Sequence, residues 1–152
     1  MPGYSGGQKE NPSYGEVCSG TTGHAEAIQI KFDPSIISYE KILDIFWRLH
    51  DPTTPNQQGA DIGPQYRSAI FYHNEKQKEI AEKLKNMLDK SGGYTKPIVT
   101  QIVPFTNFYR AEDYHLNYYE RNKSAPYCRV VIDPKIQKLM SEYKQKVKEK
   151  YG

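Results

Sequence analysis

Two polar stretches hold most of the side chains that could do chemistry. The first, Gly20-Thr21-Thr22-Gly23-His24-Ala25-Glu26, stands immediately before a segment that reads as a strand. The second runs from His50-Asp51-Pro52-Thr53 to Gln65-Tyr66-Arg67-Ser68, immediately before another such segment, and is long for a mere connector. A carboxyl at the start of a strand can be partly desolvated and so hold a proton nearer neutral pH, which makes Glu26 and Asp61 candidate acids; the plainer reading of either is a surface carboxylate or a turn cap. Metal chemistry is poorly supported. His24-Ala25-Glu26 matches half of a zinc-deaminase signature, but the P-C-x-x-C half is absent, and His24, His50, His73 and His115 fall in four separate segments without H-x-x-x-H spacing. Cys18 and Cys128 have no histidine at a spacing that marks a nucleophile pair, so an inert thiol is the plain reading of each.

Periodicity supplies the elements that must carry these loops. Ala27 to Phe32 alternates apolar and polar residues and stops at Asp33-Pro34, as a strand does. Tyr39, Ile42, Leu43, Phe46 and Leu49 recur at helical spacing and end at His50-Asp51-Pro52. Ser68 to Tyr72 is a second strand. Asn74 with Gln77 forms a capping box for a helix whose apolar face is Ile80, Leu84 and Leu88, closed by Gly92-Gly93. Pro97 to Val103 is a third strand, and a short helix is expected around Ala111 to Glu120. Tyr127 to Ile132 reads as a short strand or extended chain. Asp133-Pro134 opens a last helix with Ile136, Leu139, Met140, Tyr143 and Val147 inward, and Lys144, Lys146, Lys148 and Lys150 form a solvated face near its end. The first 24 residues, dense in Gly, Ser, Thr, Pro and Tyr, read as a long loop; a disordered tail is the alternative. Alternating strands and helices imply a two-layer α+β or α/β sandwich, in which three strands make a narrow sheet.

Composition excludes several classes. A net charge of +3 is too mild to point to nucleic acid. Apolar runs are too short for a membrane span, and the N-terminus has neither the basic stretch nor the apolar core of a signal peptide. Hydrophobic residues are only 37% of the chain, and 13 tyrosines make up much of the difference, since tyrosine buries a ring while keeping its hydroxyl in use. A soluble, cytoplasmic, single-domain protein over residues 1–152 is the expectation, with no membrane and no nucleic-acid partner.

Three strings taken together are specific. They are Gly3-Tyr4-Ser5-Gly6-Gly7 followed by Glu16-Val17-Cys18-Ser19-Gly20-Thr21-Thr22-Gly23-His24-Ala25-Glu26; then His50-Asp51-Pro52-Thr53 through Gln65-Tyr66-Arg67-Ser68; then Phe108-Tyr109 through Glu112-Asp113-Tyr114-His115. The sequence resembles, along essentially its whole length, the A-type peptide-methionine sulfoxide reductases, which act on the S epimer. The resemblance implies an α+β two-layer sandwich with a ferredoxin-like core and a repair reaction. In it a thiolate, or in some members a selenolate, attacks the sulfoxide sulfur of free or protein-bound methionine sulfoxide. The resulting sulfenic acid is resolved by a second thiol and then by thioredoxin or another thiol reductant. No cofactor and no metal are implied.

Residue by residue, the resemblance makes Glu26 the acid, Tyr4 and Tyr66 the hydroxyls that bond the sulfoxide oxygen, and Asp61 the acidic residue beside them. Donors aimed at developing oxyanion charge are the large term in such catalysis. Cys128, in Pro126-Tyr127-Cys128, lies where some members carry a recycling cysteine, although Arg129 to Ile132 depart from their glycine-rich tail. The family's nucleophile lies in a Gly-Cys-Phe-Trp string ahead of the Gly-Tyr-Ser-Gly-Gly segment, and this sequence has no such string; Trp47, on a helix, reads as packing. The expectation is an N-terminally truncated reductase, and the alternative is a module that binds methionine sulfoxide without reducing it.

Overall fold

The computed structural model describes residues 1–147, so Lys148 and Lys150 lie outside the described residues. The chain divides into two compact units, Met1–Asp113 and the residues from Tyr114 on.

In the first unit, helix α2 (Tyr39–Arg48) starts where the Ser38 hydroxyl accepts the Lys41 N–H (3.2 Å) and buries Leu43 and Trp47. Helix α3 (Glu75–Lys90) starts at Asn74, whose side chain accepts the Gln77 N–H (2.9 Å). The Gln77 side chain in turn accepts from His73 N–H rather than from the cap residue itself, so the expected capping box closes one residue earlier. Gly92, at φ +75°, takes the left-handed turn that ends the helix. Strands β5 (Ala69–Tyr72) and β6 (Gln101–Pro104) pair in parallel. Leu43, Trp47, Ile70 and Ala81 form a buried cluster under α2 and α3, flanked by Phe46, Leu84 and Ile102. A chain of hydrogen bonds crosses it: Trp47 Nε1–H donates to Thr100 Oγ1 (3.0 Å), Thr100 Oγ1 pairs with Ser68 Oγ (2.8 Å), Ser68 Oγ pairs with His50 Nε2 (2.7 Å), and His50 Nδ1–H donates to the Phe46 carbonyl (2.6 Å). Trp47 is packing, as its place on the helix implies.

The N-terminal stretch is neither a loop nor a tail. It contains strand β1 (Pro2–Ser5) and helix α1 (Tyr14–Cys18). β1 is the central strand of an antiparallel sheet, between β2 (Ala25–Ile28) and β7 (Phe108–Arg110), with Tyr4 opposite both Glu26 and Tyr109. Glycine composition hid it, and Gly3 is there because a Cβ would collide with the Phe108 ring and the Tyr109 carbonyl. α1 rests on a full capping box, Ser13 with Glu16, and on Val17, which is fully buried. β2 begins two residues earlier than the alternation suggests and ends at Ile28, and β6 is likewise shorter than the segment that reads as strand. Between Asp51 and Ser68 the chain forms a small hairpin, β3 (Gln57–Gln58) and β4 (Asp61–Ile62), then a 3₁₀ turn, Pro64–Tyr66.

In the second unit the expected short helix is reduced to α4 (Tyr118–Arg121). The segment expected as strand or extended chain is a π-helical turn, Cys128–Ile132, that runs directly into α5 (Asp133–Tyr143). Its β-branched run is overridden by continuity with the helix that Pro134 opens. Tyr143 is buried on α5, and Ile136, Leu139, Met140 and Val147 are half-buried, as the periodicity requires. The architecture is α+β. The described strands form three separate sheets instead of the single sheet of a ferredoxin-like sandwich. Among the described residues no helix is long and apolar enough to cross a membrane.

Candidate functional site

Glu26 is the second residue of β2, immediately after a turn held by polar contacts. The neutral His24 ring, 1% exposed, accepts the Gly7 N–H at Nδ1 (3.0 Å) and donates Nε2–H to the Lys9 carbonyl (2.8 Å). Both ring nitrogens are therefore engaged in positioning backbone. The Glu26 carboxyl reaches the surface, yet enough protein surrounds it that loss of solvation raises its pKa above the ordinary glutamate value, and the charge of Asp61 adds to the rise. Asp61 opens β4, exposed at the tip of the hairpin. Tyr66 closes the 3₁₀ turn that follows. Its phenol is raised first by burial and then by the charges of Glu26, Cys18 and Asp61, partly offset by a hydrogen bond from the buried Gln65 side chain. Gln65 also donates Nε2–H to the Cys18 carbonyl (3.0 Å), tying the turn to the end of α1.

A fourth group joins these three. Tyr14, the first residue of α1, hydrogen-bonds the side chain of Cys18 one turn on, and this contact, then burial, then the fields of Cys18, Glu26 and Tyr66 hold its phenol far above the ordinary tyrosine value. Glu26, Asp61, Tyr66, Tyr14 and Cys18 thus share one electrostatic environment, drawn from β2, β4, the 3₁₀ turn and α1. Sequence reasoning misses Tyr14. The signal is there in Ser13-x-x-Glu16, a capping box that opens a helix and puts Tyr14 and Cys18 on one face.

Tyr4 is placed by β1. It is 2% exposed in a cluster with Val17 and Ala111, and its hydroxyl donates to Glu112 Oε2 (2.7 Å). The other oxygen of Glu112 accepts the Tyr14 backbone N–H (2.7 Å). Tyr4 is the cross-strand partner of Glu26, on the same face of the sheet, and Glu112 links its hydroxyl to the start of α1. Cys128, the expected recycling thiol, is fully buried in the π-helical turn of the second unit. Among the described residues no group of three or more His, Cys, Asp or Glu side chains is placed to hold a metal ion.

Chemically, such an arrangement offers a carboxyl that keeps its proton at higher pH than usual beside phenols that stay protonated. Residues 1–148 match the family described as peptide methionine sulfoxide reductase. The chain is 54% identical over 145 residues to the peptide methionine sulfoxide reductase MsrA of Sulfolobus acidocaldarius, covering 95% of this chain and 81% of that protein. It is 51% identical over 144 residues to the MsrA of Thermus thermophilus, with 95% and 81% covered. Among solved structures, reduced Mxr1 from Saccharomyces cerevisiae superposes with a TM-score of 0.76 at 38% identity, over 82% of this chain and 71% of that one. Methionine sulfoxide reductase A of Corynebacterium diphtheriae gives 0.68 at 33% identity, over 80% and 62%. With a family match over nearly all its residues and relatives of this identity, the chain belongs to the peptide methionine sulfoxide reductase family.

Proposed function

We propose that the reaction of this family, the return of methionine sulfoxide to methionine, uses Glu26, Asp61, Tyr66 and Tyr4 to hold and protonate the sulfoxide oxygen. The observation that carries this reading is the carboxyl of Glu26, raised by burial and by Asp61, in the same field as two protonated phenols. A sulfoxide oxygen bears negative charge that grows as the S–O bond breaks, so donors fixed beforehand stabilise the breaking bond more than the resting substrate. In the balanced reaction one thiol attacks the sulfur and becomes a sulfenic acid as the substrate becomes a thioether. A second thiol condenses with the sulfenic acid, releasing water and forming a disulfide, which a thiol reductant such as thioredoxin returns to two thiols. Glu26 is the proton donor, Tyr66 and Tyr4 are hydrogen-bond donors to the oxygen, Tyr4 by turning its hydroxyl from Glu112, and Asp61 keeps Glu26 protonated. Neither Cys18 nor Cys128 is given the nucleophile's role, since neither stands in a Gly-Cys-Phe-Trp string. Recycling through Cys128 requires local opening of its turn. The alternative of a binding module without turnover draws no support from relatives named as reductases.

The test is calorimetric titration with a short peptide carrying methionine sulfoxide as the pure S or pure R epimer. Preferential binding of the S epimer, weakened by Glu26→Gln and by Tyr66→Phe, is expected. Equal binding of both epimers, or binding indifferent to both substitutions, would overturn the assignment of the cluster.

A further inference from the structure

We propose that Arg67 is a positioning residue of this site: its guanidinium spans the two loops that carry Glu26 on one side and Asp61 and Tyr66 on the other, and so fixes their separation. Nη2–H donates to the Gly23 carbonyl (2.9 Å) and Nη1–H to the Pro64 carbonyl (2.8 Å). Gly23 lies three residues before Glu26. Pro64 lies three residues after Asp61 and two before Tyr66. One planar guanidinium thereby links the backbone on both sides of the acid pair. The inference rests on reading these residues as the sulfoxide site.

Three further features agree with a spacer and not with a charge partner. Arg67 is half-buried, and burial pulls its pKa below the ordinary arginine value, yet no carboxylate lies in ion-pair range of it among the described residues. Its hydrogen bonds go to neutral backbone carbonyls, which leaves the charges of Glu26 and Asp61 to act on each other. Next, Gly6 (φ +85°) passes under the same group: a Cβ there would lie 3.4 Å from Nη2 and collide with the Phe71 ring, so the end of β1 is packed against the spacer too. Finally, Gly23 takes φ +76°, a conformation a side chain would strain, in the turn that offers its carbonyl to the guanidinium. A planar fork with separate donors can hold two carbonyls at a set distance, whereas a lysine ammonium is a single point on a flexible stem.

The experiment reads the coupling between Glu26 and Asp61 directly, by carbon-13 NMR titration of the Glu26 side-chain carboxyl in the 152-residue chain. The groups that face Glu26 are Asp61 on β4, Tyr66 on the 3₁₀ turn, Tyr14 and Cys18 on α1, and its cross-strand neighbour Tyr4 on β1. Asp61→Asn is expected to lower the Glu26 midpoint when Arg67 is present. In an Arg67→Met background that drop should shrink by more than half, and in Arg67→Lys, which keeps the charge, it should also shrink. A drop preserved to more than half in both backgrounds would overturn the proposal. If Arg67→Met fails to fold, Arg67→Lys alone decides. Because the readout needs no substrate, coupling that responds to Arg67 in a chain that binds neither epimer would refute the functional reading and leave the spacer standing.

Discussion

The first unit contains two regions held by different means. Under α2 and α3 the joints are apolar: Leu43, Trp47, Ile70 and Ala81 interlock, and a polar chain from Trp47 to His50 runs beside them. Around β1, α1 and the glycine turn the joints are polar side chains holding backbone. His24 grips Gly7 and Lys9, Asn107 donates to the Gly7 carbonyl (2.8 Å) and accepts from Gly6 N–H (3.2 Å), Glu112 clasps Tyr4 and Tyr14, and Arg67 bridges Gly23 and Pro64. Apolar packing is tolerant in direction and costly to lose, whereas polar joints fix direction and separation for modest net energy. The difference teaches where stability and geometry reside: one region supplies the free energy, the other holds Glu26 and its neighbours in register.

That division can be broken most forcefully in the packed region. Trp47→Ala removes a ring 1% exposed and strips Thr100 of its donor, so a loss of about 3–5 kcal/mol is expected in denaturant unfolding. Next comes Glu112→Ala, which leaves the buried Tyr4 hydroxyl and the Tyr14 N–H without their acceptor. About 1–3 kcal/mol is expected, with a larger relative effect on S-epimer binding than Trp47→Phe produces. If Glu112→Ala were as destabilising as Trp47→Ala, the two regions would not be distinct in kind.

The smallest effect sharpens the contrast through pH. The folded Glu26 carboxyl has a pKa above its unfolded value, so between those two values the folded state retains a proton that the unfolded chain has lost. Stability contributed by Glu26 is therefore present below the ordinary glutamate range and is lost as pH rises through the raised value. Glu26→Gln should stabilise the protein slightly at neutral pH and leave it unchanged in acid, as thermal melts across pH will show. Turnover that depends on the Glu26 proton should decline over the same window.

The packed region is legible in the sequence because its positions obey a period. Ile42, Leu43 and Phe46 announce α2, Ile80, Leu84 and Leu88 announce α3, and Asn74 marks a start. The polar region is not, because its determinants lack a period. β1 carries Pro2 and Gly3, residues that argue against a central strand, and its place between β2 and β7 depends on partners distant in the chain. Glu26, Asp61 and Tyr66 stand out as polar residues beside strands, and the fold brings them into one field. The glycine-rich string around Tyr4 draws attention to that tyrosine, while the loop-like composition of the same stretch conceals α1, which brings Tyr14 round to Cys18. The π-helical turn at Cys128 is hidden by its β-branched composition.

The position of β1 also bears on how the chain comes to be folded. The contacts that complete it span 102 residues from Ser5 to Asn107 and 108 from Tyr4 to Glu112. At ribosomal speeds of about 5–20 residues per second, that interval is roughly 5–20 s. β1 is thus made long before it is finished. Until Phe108–Arg110 emerges, one edge of β1 is open to any extended segment, and α1 lacks the carboxylate that holds its first residue. High contact order at this one strand makes assembly of the candidate site a late event in biosynthesis, after the helical half has packed.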